Sequence, residues 1–165
     1  MRQLLVLLIA FLISSCSPHI PNNLNSSILT KSKILSNTGA LKGKKGYIYL
    51  KINDNYIHWL YPIIRNFDDK AQKPPYFRTL EGVGAHISVI YEEESKNFKI
   101  IETGKNFIFS PVELKLVRSK NIDYYVLQVE SRELENLRTK YNLSKLLKGH
   151  KFHITLAIKE KGCCK

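Results

Sequence analysis

Residues 152–159, Phe-His-Ile-Thr-Leu-Ala-Ile-Lys, alternate between large apolar side chains and small or polar ones. Alternation places every second side chain on the same side of the chain, which predicts a half-buried β-strand. The packed face of this strand would carry Phe152, Ile154, Leu156 and Ile158. The opposite face would carry His153, Thr155 and Ala157. An imidazole and a hydroxyl would therefore lie side by side, away from the core.

A near-copy of this pattern, His86-Ile87-Ser88, lies within residues 85–91. The same alternation predicts a strand whose packed face carries Ala85, Ile87, Val89 and Tyr91, and whose other face carries His86, Ser88 and Ile90. Two strands thus present a histidine and a hydroxyl away from the main packing face. Together these groups can supply an acid, a base and two hydrogen-bond donors.

Each histidine strand ends the same order of predicted elements: a strand, a helix and the histidine strand, over residues 47–91 and again over 124–159. The first helix follows the capping residues Asn53 and Asp54, and Pro62 should kink or restart it. The second begins at the N-cap Ser131 and ends near Gly149. Further strands are predicted at residues 98–102, at 107–117 with a break at Pro111, and at 124–129. This order indicates an α+β fold of two similar antiparallel lobes, each with a packed helix.

The first residues have the features of an export signal. Arg2 precedes an apolar run that is too short to span a bilayer, which is typical of a secretory signal peptide at residues 1–15. The run ends in Ile13-Ser14-Ser15-Cys16, which resembles a bacterial lipobox and implies cleavage before Cys16 with lipid attachment to its thiol. The alternative is ordinary signal cleavage near the same point, with Cys16 incidental. The expected location is an exported membrane lipoprotein, periplasmic or surface-facing.

Composition divides the rest of the chain into two parts. Residues 16–43 are rich in Ser, Asn, Lys and Thr, which favours a flexible tether. Residues 44–162 then form the folded region, and a length of this order suits one domain with a single core. The two remaining cysteines, Cys163 and Cys164, are adjacent at the C-terminus, so they provide neither a disulfide framework nor a zinc site.

The charge balance points to an anionic partner. The chain has 26 Lys and Arg against 14 Asp and Glu, a net charge of +12 at pH 7. Such an excess favours phosphate-bearing substrates, nucleic acid or acidic membranes, although a basic surface also serves solubility.

The segments 84–89 and 152–157 resemble the two His-x-Ser/Thr motifs of the 2H phosphoesterase superfamily, and most closely its "Swiss army knife" RNA-repair-like branch. The superfamily includes the RNA 2′,3′-cyclic phosphodiesterases once called 2′-5′ RNA ligases. The resemblance implies a bilobal fold with a pseudo-twofold axis and the histidines facing across a central cleft. It covers about residues 46–160, and it implies catalytic roles for His86, Ser88, His153 and Thr155.

Imidazole chemistry is consistent with that implication. One neutral histidine can take a proton from water while the other, protonated, gives one to the departing ribose oxygen. The hydroxyls of Ser88 and Thr155 would donate to the phosphoryl oxygens. No metal or other cofactor is required, and the acid and base roles of the two histidines stay open. The alternative is a pair of strand histidines that simply hydrogen-bond a nearby hydroxyl in a core.

Three further residues are candidates for substrate binding. Tyr76 and Phe77 follow a double proline in the loop before the first motif, where an aromatic ring can stack on a base or pack the loop down. Lys151 shares the face of His153 and can meet a phosphate, or it can be a solvated lysine at a strand start. His150 is a rim residue at most, with a solvated turn histidine as the alternative.

The resulting hypothesis is an exported, lipid-anchored, monomeric and metal-independent phosphoesterase. Its substrate would be a cyclic phosphate or 2′-5′ phosphodiester in RNA, an oligonucleotide or a nucleotide. One competing hypothesis is a surface lipoprotein that binds nucleotide or nucleic acid without turnover. Another is an envelope lipoprotein with an unrelated fold. The export signal is in tension with RNA repair, which belongs in the cytoplasm.

Overall fold

The structure is a computed structural model that describes residues 20–77 and 82–161. The predicted signal peptide (1–15), the predicted lipid-attachment residue Cys16 and the terminal Cys163 and Cys164 lie outside the described residues. None of the helices in the described ranges is both long and apolar enough to cross a membrane.

The described chain forms three α-helices and seven strands. The helices are α1 (Asn22–Ser32), α2 (Asn55–Phe67) and α3 (Arg132–Lys140), and a short 3-10 helix covers Pro75–Phe77. The strands are β1 (Thr38–Lys44), β2 (Tyr47–Lys51), β3 (His86–Ile90), β4 (Asn106–Ile108), β5 (Ser110–Arg118), β6 (Ile122–Glu130) and β7 (His153–Glu160). Two antiparallel sheets result: a first sheet in the order β3-β2-β1-β4, and a second sheet in the order β5-β6-β7.

The fold is α+β, as predicted, and the predicted repeat is present. The order strand, helix, histidine strand occurs as β2-α2-β3 and as β6-α3-β7. Both histidine strands are edge strands of their sheets, and they contact each other. The two motifs are therefore adjacent at the junction of the sheets.

We call β2-α2-β3 the first unit and β6-α3-β7 the second unit. The helix of each unit packs against the sheet that holds the other unit's histidine strand. Helix α2, from the first unit, packs against β7, while α3, from the second, packs against β3 and β4. Each sheet is therefore covered by a helix, as predicted, but that helix belongs to the other unit. The reason is that a single apolar cluster runs through both halves, from Leu24 to Ala157, so each helix buries its stripe in a shared core.

Each histidine strand has a β-bulge at the same place. The register between β2 and β3 shifts so that Val89 has no partner, and that between β6 and β7 shifts so that Leu156 has none. In each strand the extra residue directly follows the hydroxyl residue of the motif. A bulge interrupts the alternation of faces. For that reason Ile90 and Ala157, which were predicted on the histidine faces, are both fully buried.

The prediction of a flexible tether over residues 16–43 is wrong for its described part. Helix α1 buries Leu24 and Ile28, and β1 buries Leu41 and pairs with both β2 and β4. The Ser, Asn and Lys residues of this segment lie mostly on the solvent side. The composition of residues 16–43 is polar on average, so it does not reveal the few apolar side chains that pack into the core. The domain begins at about residue 22 rather than 44.

Other predicted elements differ locally. Residues 98–102 form no strand, and the break in 107–117 falls at Phe109, whereas Pro111 lies within the edge strand β5 beside a bulge. Helix α2 continues through Pro62, which is exposed, so the carbonyl it leaves unpaired can face water. Helix α3 keeps its predicted N-cap, since the Ser131 hydroxyl accepts from Leu134 N–H at 3.2 Å. It ends at Lys140, because Asn142 adopts a positive φ of 57°.

A buried guanidinium joins α3 to the first histidine strand. The Arg138 side chain is 1% exposed and forms an ion pair with Glu94 at 2.8 Å. It also donates to three carbonyl oxygens: those of Val89 (2.6 Å), Ser144 (2.6 Å) and Leu146 (3.1 Å). Since Val89 is the bulge residue after Ser88, this side chain fixes the backbone at the end of the first motif.

Replacing Arg138 with methionine should destabilise the protein strongly. Arg138→Met would leave the Glu94 carboxylate and three carbonyls without their donor, which costs about 3–5 kcal/mol of the free energy of unfolding. Urea denaturation followed by circular dichroism measures this. Arg132→Met, an exposed position on the same helix, is the matched control and should change the free energy by less than about 0.5 kcal/mol. Equal effects of the two changes would contradict the role given to Arg138.

Candidate active site

The two motif histidines are held in the same way. The Nδ1 atom of His86 lies 2.8 Å from the carbonyl oxygen of Gly84, and that of His153 lies 3.1 Å from the carbonyl oxygen of Lys151. A carbonyl oxygen only accepts, so each Nδ1 carries the proton. In both residues, therefore, Nε2 is the nitrogen left to gain or lose a proton.

Three tyrosine rings surround His86. Tyr76 approaches its imidazole with a centroid distance of 4.5 Å, Tyr49 with 5.7 Å and Tyr47 with 6.2 Å, all close to edge-on. Burial among these rings lowers the pKa of His86, the hydrogen bond to the Gly84 carbonyl opposes the change, and the charges of Lys51 and His153 lower the pKa further. The second motif thus lies close enough to the first for the charge of His153 to lower the pKa of His86.

The environment of His153 is more open on one side. Burial lowers its pKa, the bond to the Lys151 carbonyl opposes this, and the charge of His150 lowers it again. His153 lines a cavity of about 460 Å³ over the second sheet. The other lining residues are Lys115, Val117, Tyr124, Val126, Gln128, Gly149, His150, Lys151 and Thr155.

The two motif hydroxyls have different neighbours. The Ser88 hydroxyl lies 2.6 Å from the hydroxyl of Tyr47, within hydrogen-bonding distance. Burial raises the pKa of Tyr47 to about 12, so its phenol keeps its proton at neutral pH and can donate. Thr155, in contrast, lines the open cavity.

Tyr76 joins the two halves of the site. Its ring lies against His86, and its hydroxyl donates to the backbone carbonyl of Thr155 at 3.0 Å. The sequence indicated Tyr76 as a residue that could stack on a base, and the structure shows that it contacts both motifs. The ring of Phe77 instead packs edge-on against His58, which belongs to neither motif, with a centroid distance of 5.1 Å.

Lys151 lies at the rim of the cavity. Its backbone carbonyl holds His153, and its ammonium lies 3.3 Å from the carboxylate of Glu130. The structure thus places both Lys151 and His150 beside His153, where they line the same cavity. The ammonium is exposed enough to exchange Glu130 for a ligand phosphate.

The sequence did not indicate the residues of β2 that flank the first motif. Tyr47, Tyr49 and Lys51 lie on the side of His86, while Ile48 and Leu50 are buried. Residues 47–52 alternate between aliphatic side chains and aromatic or charged ones, although nearly all of them are apolar. This period of two places Tyr47, Tyr49 and Lys51 on one face of the strand, beside the histidine.

A polar cluster supports the backbone before His86. Asp54 forms no side-chain cap on α2; its carboxylate accepts from the Ala85 N–H at 2.8 Å and from the ammonium of Lys51. Gly84 has a φ of +69°, and a Cβ there would meet the Lys51 ammonium and lie 2.6 Å from the Asp54 carboxylate. Another residue would be strained at this φ and would have to displace the Lys51 ammonium and the Asp54 carboxylate, whereas glycine lets the carbonyl reach His86 Nδ1 without strain.

The described residues contain no group of three or more His, Cys, Asp and Glu side chains placed to hold a metal ion. What the arrangement provides is two imidazoles held through Nδ1, two motif hydroxyls, and a cavity lined by His153 and Thr155 together with the cationic side chains of Lys115 and Lys151. Such groups can transfer protons and bind an anionic ligand.

A comparison with family models identifies the class of protein. The model described as "Swiss Army Knife, 2H phosphoesterase domain" matches residues 48–163, which is more than half of the chain. The protein therefore belongs to the 2H phosphoesterase family, as its two motifs had indicated, and the match supports a phosphoesterase-type function. Searches of curated proteins and of solved structures return no match.

The histidine geometry predicts a specific NMR signature. Because carbonyl oxygens accept at both Nδ1 atoms, neutral His86 and His153 should both be Nδ1–H tautomers with pKa values below the ordinary histidine range. Long-range 1H–15N correlation spectra over a pH series measure tautomer and pKa together. Single His86→Gln and His153→Gln variants assign the signals, and an Nε2–H tautomer at either residue would contradict the geometry.

The Gly84 geometry predicts an unequal effect of two glycine replacements. Gly84→Ala and Gly104→Ala both place a side chain at positive φ, which costs about 1 kcal/mol, but nothing lies within 4 Å of a Cβ at Gly104. Gly84→Ala should also displace Lys51 or Asp54 and the Gly84 carbonyl. Thermal denaturation should show the larger loss for Gly84→Ala, and only this variant should alter the His86 NMR signals.

Proposed function

We propose that the protein is a metal-independent phosphodiesterase that opens a cyclic phosphate or cleaves a 2′-5′ phosphodiester in RNA, an oligonucleotide or a nucleotide. His86 and His153 act as its acid and base. Ser88 and Thr155, with Tyr47 behind Ser88, donate hydrogen bonds to the phosphoryl oxygens.

The observation that carries the proposal is that the two imidazoles are held by equivalent hydrogen bonds. Each is held by Nδ1 to the carbonyl two residues earlier, on adjoining edge strands, with the charge of His153 acting at His86. A pair of histidines that served only packing would not need the same tautomer and the same support in both halves. In-line displacement at phosphorus needs an acid and a base on opposite sides of it, and two facing strands can provide them.

The reaction balances without a cofactor. The base imidazole takes a proton from water as the water oxygen bonds to phosphorus. The bond between phosphorus and the ribose oxygen breaks, and the acid imidazole gives that oxygen its proton. A cyclic phosphate gives a phosphomonoester with a free hydroxyl on the same ribose, and a 2′-5′ phosphodiester gives a phosphomonoester and a separate nucleoside hydroxyl. Proton exchange with solvent then restores the pair.

The cavity beside His153 favours a substrate of nucleotide size. Its volume of about 460 Å³ falls in the usual range for small-ligand pockets. Tyr124 can contact a base or sugar, and Lys115 and Lys151 supply positive charge for further phosphates. The net charge of +12 adds a general attraction for such anions.

The location we propose is that of an exported lipoprotein anchored through Cys16. Because α1 begins at Asn22, only residues 17–21 would separate the anchor from the folded domain. Five extended residues reach about 17 Å, so the domain would lie close to the membrane surface rather than on a long tether. A nucleotide substrate would then be an extracytoplasmic one.

Turnover of small cyclic substrates tests the proposed activity. The wild type should hydrolyse 2′,3′-cyclic nucleotides or 2′-5′ dinucleotides with EDTA present, while His86→Ala and His153→Ala should each lose about 10²–10⁴-fold in kcat. Thr155→Val, which keeps the shape of the side chain but removes its hydroxyl, should lower kcat more than it raises KM. Product formation is followed by chromatography.

One outcome separates this proposal from the binding-module hypothesis. If the wild type turns over nothing but binds these nucleotides, and both histidine variants keep the same affinity, the protein is a binding module. His58→Ala is the matched control, since His58 is exposed and contacts only Phe77 among the aromatic rings described. Its activity should equal that of the wild type.

A further inference from the structure

We propose that the exposed side of helices α1 and α2 is a membrane-contact surface that lies on an anionic lipid bilayer. We call this surface the α1–α2 face and define it by Lys31, Ile34, Trp59 and Ile63. The proposal rests on the proposed location of the protein and goes beyond its proposed activity. None of these four residues lines the cavity beside His153, so the face is separate from the candidate active site.

The four side chains form one continuous patch. Lys31 and Ile34, at and just after the end of α1, line a groove of about 480 Å³ together with Ile63 of α2. The Lys31 ammonium lies 5.0 Å from the centre of the Trp59 ring. Since Trp59 and Ile63 are four residues apart on α2, their side chains are neighbours on one side of that helix. The patch therefore joins two aliphatic side chains, an indole ring and an ammonium group.

Two of the apolar side chains in this patch lie largely outside the core. Ile34 is 66% exposed and Trp59 is 40% exposed, whereas α1 and α2 bury Leu24, Ile28 and Leu60 on their core side. A large apolar side chain gains free energy when it leaves water. Apolar side chains that are gathered into one exposed patch are for this reason typical of an interaction surface.

The charges around the patch favour an anionic occupant. Neither α1 nor α2 contains an Asp or a Glu, and Lys31 and Lys33 are exposed at the end of α1. Asp68, which follows α2, is paired with Lys159. Along the chain, residues 17–53 contain six lysines and no acidic residue. Lysine is attracted to the phosphates of anionic lipids, and tryptophan favours the boundary between headgroups and acyl chains.

The same charges disfavour a second copy of the chain as the occupant. In a twofold dimer the face would meet itself, so Lys31 and Lys33 would approach the same lysines of the other copy. Like charges that meet across an interface oppose association. A bilayer instead offers phosphate groups to the lysines and acyl chains to Ile34 and Trp59.

The position of the preceding chain also favours a bilayer. In the proposed location, Cys16 is anchored in the membrane and only residues 17–21 lead from it to α1. Ser26, the first residue that lines the groove, lies about 6 Å along the helix axis from Asn22, where α1 begins. The groove therefore starts within one or two helical turns of the point where the anchored chain enters the domain. The anchor would hold the face at a high effective concentration next to the lipid.

Trp59 reports on this contact directly, because it is the only tryptophan in the chain. The full chain is mixed with vesicles of equal parts phosphatidylcholine and phosphatidylglycerol, and bound protein is collected by flotation. Contact should move the Trp59 emission to shorter wavelength, allow quenching by lipids brominated along the acyl chain, and protect the ring from iodide in the water.

Three results would overturn the proposal. The first is that no protein floats with the vesicles. The second is that bound protein keeps the emission and the iodide quenching of the lipid-free protein. The third is that Trp59 becomes shielded without lipid as the protein concentration rises, which would identify a second copy as the occupant.

Charge variants separate contact at this face from general electrostatic attraction. Lys31→Gln with Lys33→Gln should shift the equilibrium between lipid-contacting and water-exposed Trp59 about thirtyfold toward the exposed state. Lys96→Gln with Lys99→Gln removes the same charge from exposed positions in the loop after β3, and it should keep the wild-type quenching. Equal losses in the two double variants would contradict a specific role of the α1–α2 face.

A pair of isoleucine variants tests the aliphatic part of the face. Ile34→Ser should lower quenching by the brominated lipids, whereas Ile101→Ser, at an isoleucine outside the face that is 71% exposed, should not. Circular dichroism shows that each variant is folded. All four variants should hydrolyse the soluble cyclic substrate like the wild type. A protein that hydrolyses no phosphodiester but still shows the Trp59 contact would lose the proposed function and keep the membrane-contact surface.

Discussion

The buried guanidinium of Arg138 joins the two halves of the molecule at the first histidine motif. It leaves α3 to reach the carbonyl of the β3 bulge, two carbonyls of the following turn and the carboxylate of Glu94. A charged group in the core is tolerable only when every donor is satisfied, and here each nitrogen has a partner. The helix of the second unit is thereby fixed to the histidine strand of the first, which sets where the two motifs meet.

Around this junction, the two halves share a backbone plan and differ in their side chains. In each half the bulge directly follows the hydroxyl residue of the motif, and the Nδ1 atom of the histidine bonds the carbonyl two residues earlier. On the first sheet, tyrosine rings fill the space beside the histidine, whereas the second sheet leaves a cavity of about 460 Å³. The two histidines thus share a backbone geometry but have different neighbours. Such a difference suits acid–base chemistry, because the two groups must hold different protonation states at the same pH.

Much of the fold and half of the site could be predicted from the sequence. Both histidine strands, both helices of the repeat and the N-cap at Ser131 follow from local patterns, and the structure contains them all. The helix α1 was missed because its polar surface dominates its composition while only a few side chains, such as Leu24 and Ile28, reach the core. Lys51 and Gly84 were missed because their importance comes from neighbours distant in the chain.

Local sequence is enough to define the two His-x-Ser/Thr strands and the faces that their histidines take, since alternation is a local property of extended backbone. Three further features arise from the folded chain: the two strands contact each other at the edges of two sheets, Tyr76 contacts both motifs, and Lys51 is paired with one histidine while Gln128 is paired with the other. These relations join residues that are tens of positions apart. They depend on strand pairing, bulges and a shared core, which no local pattern encodes.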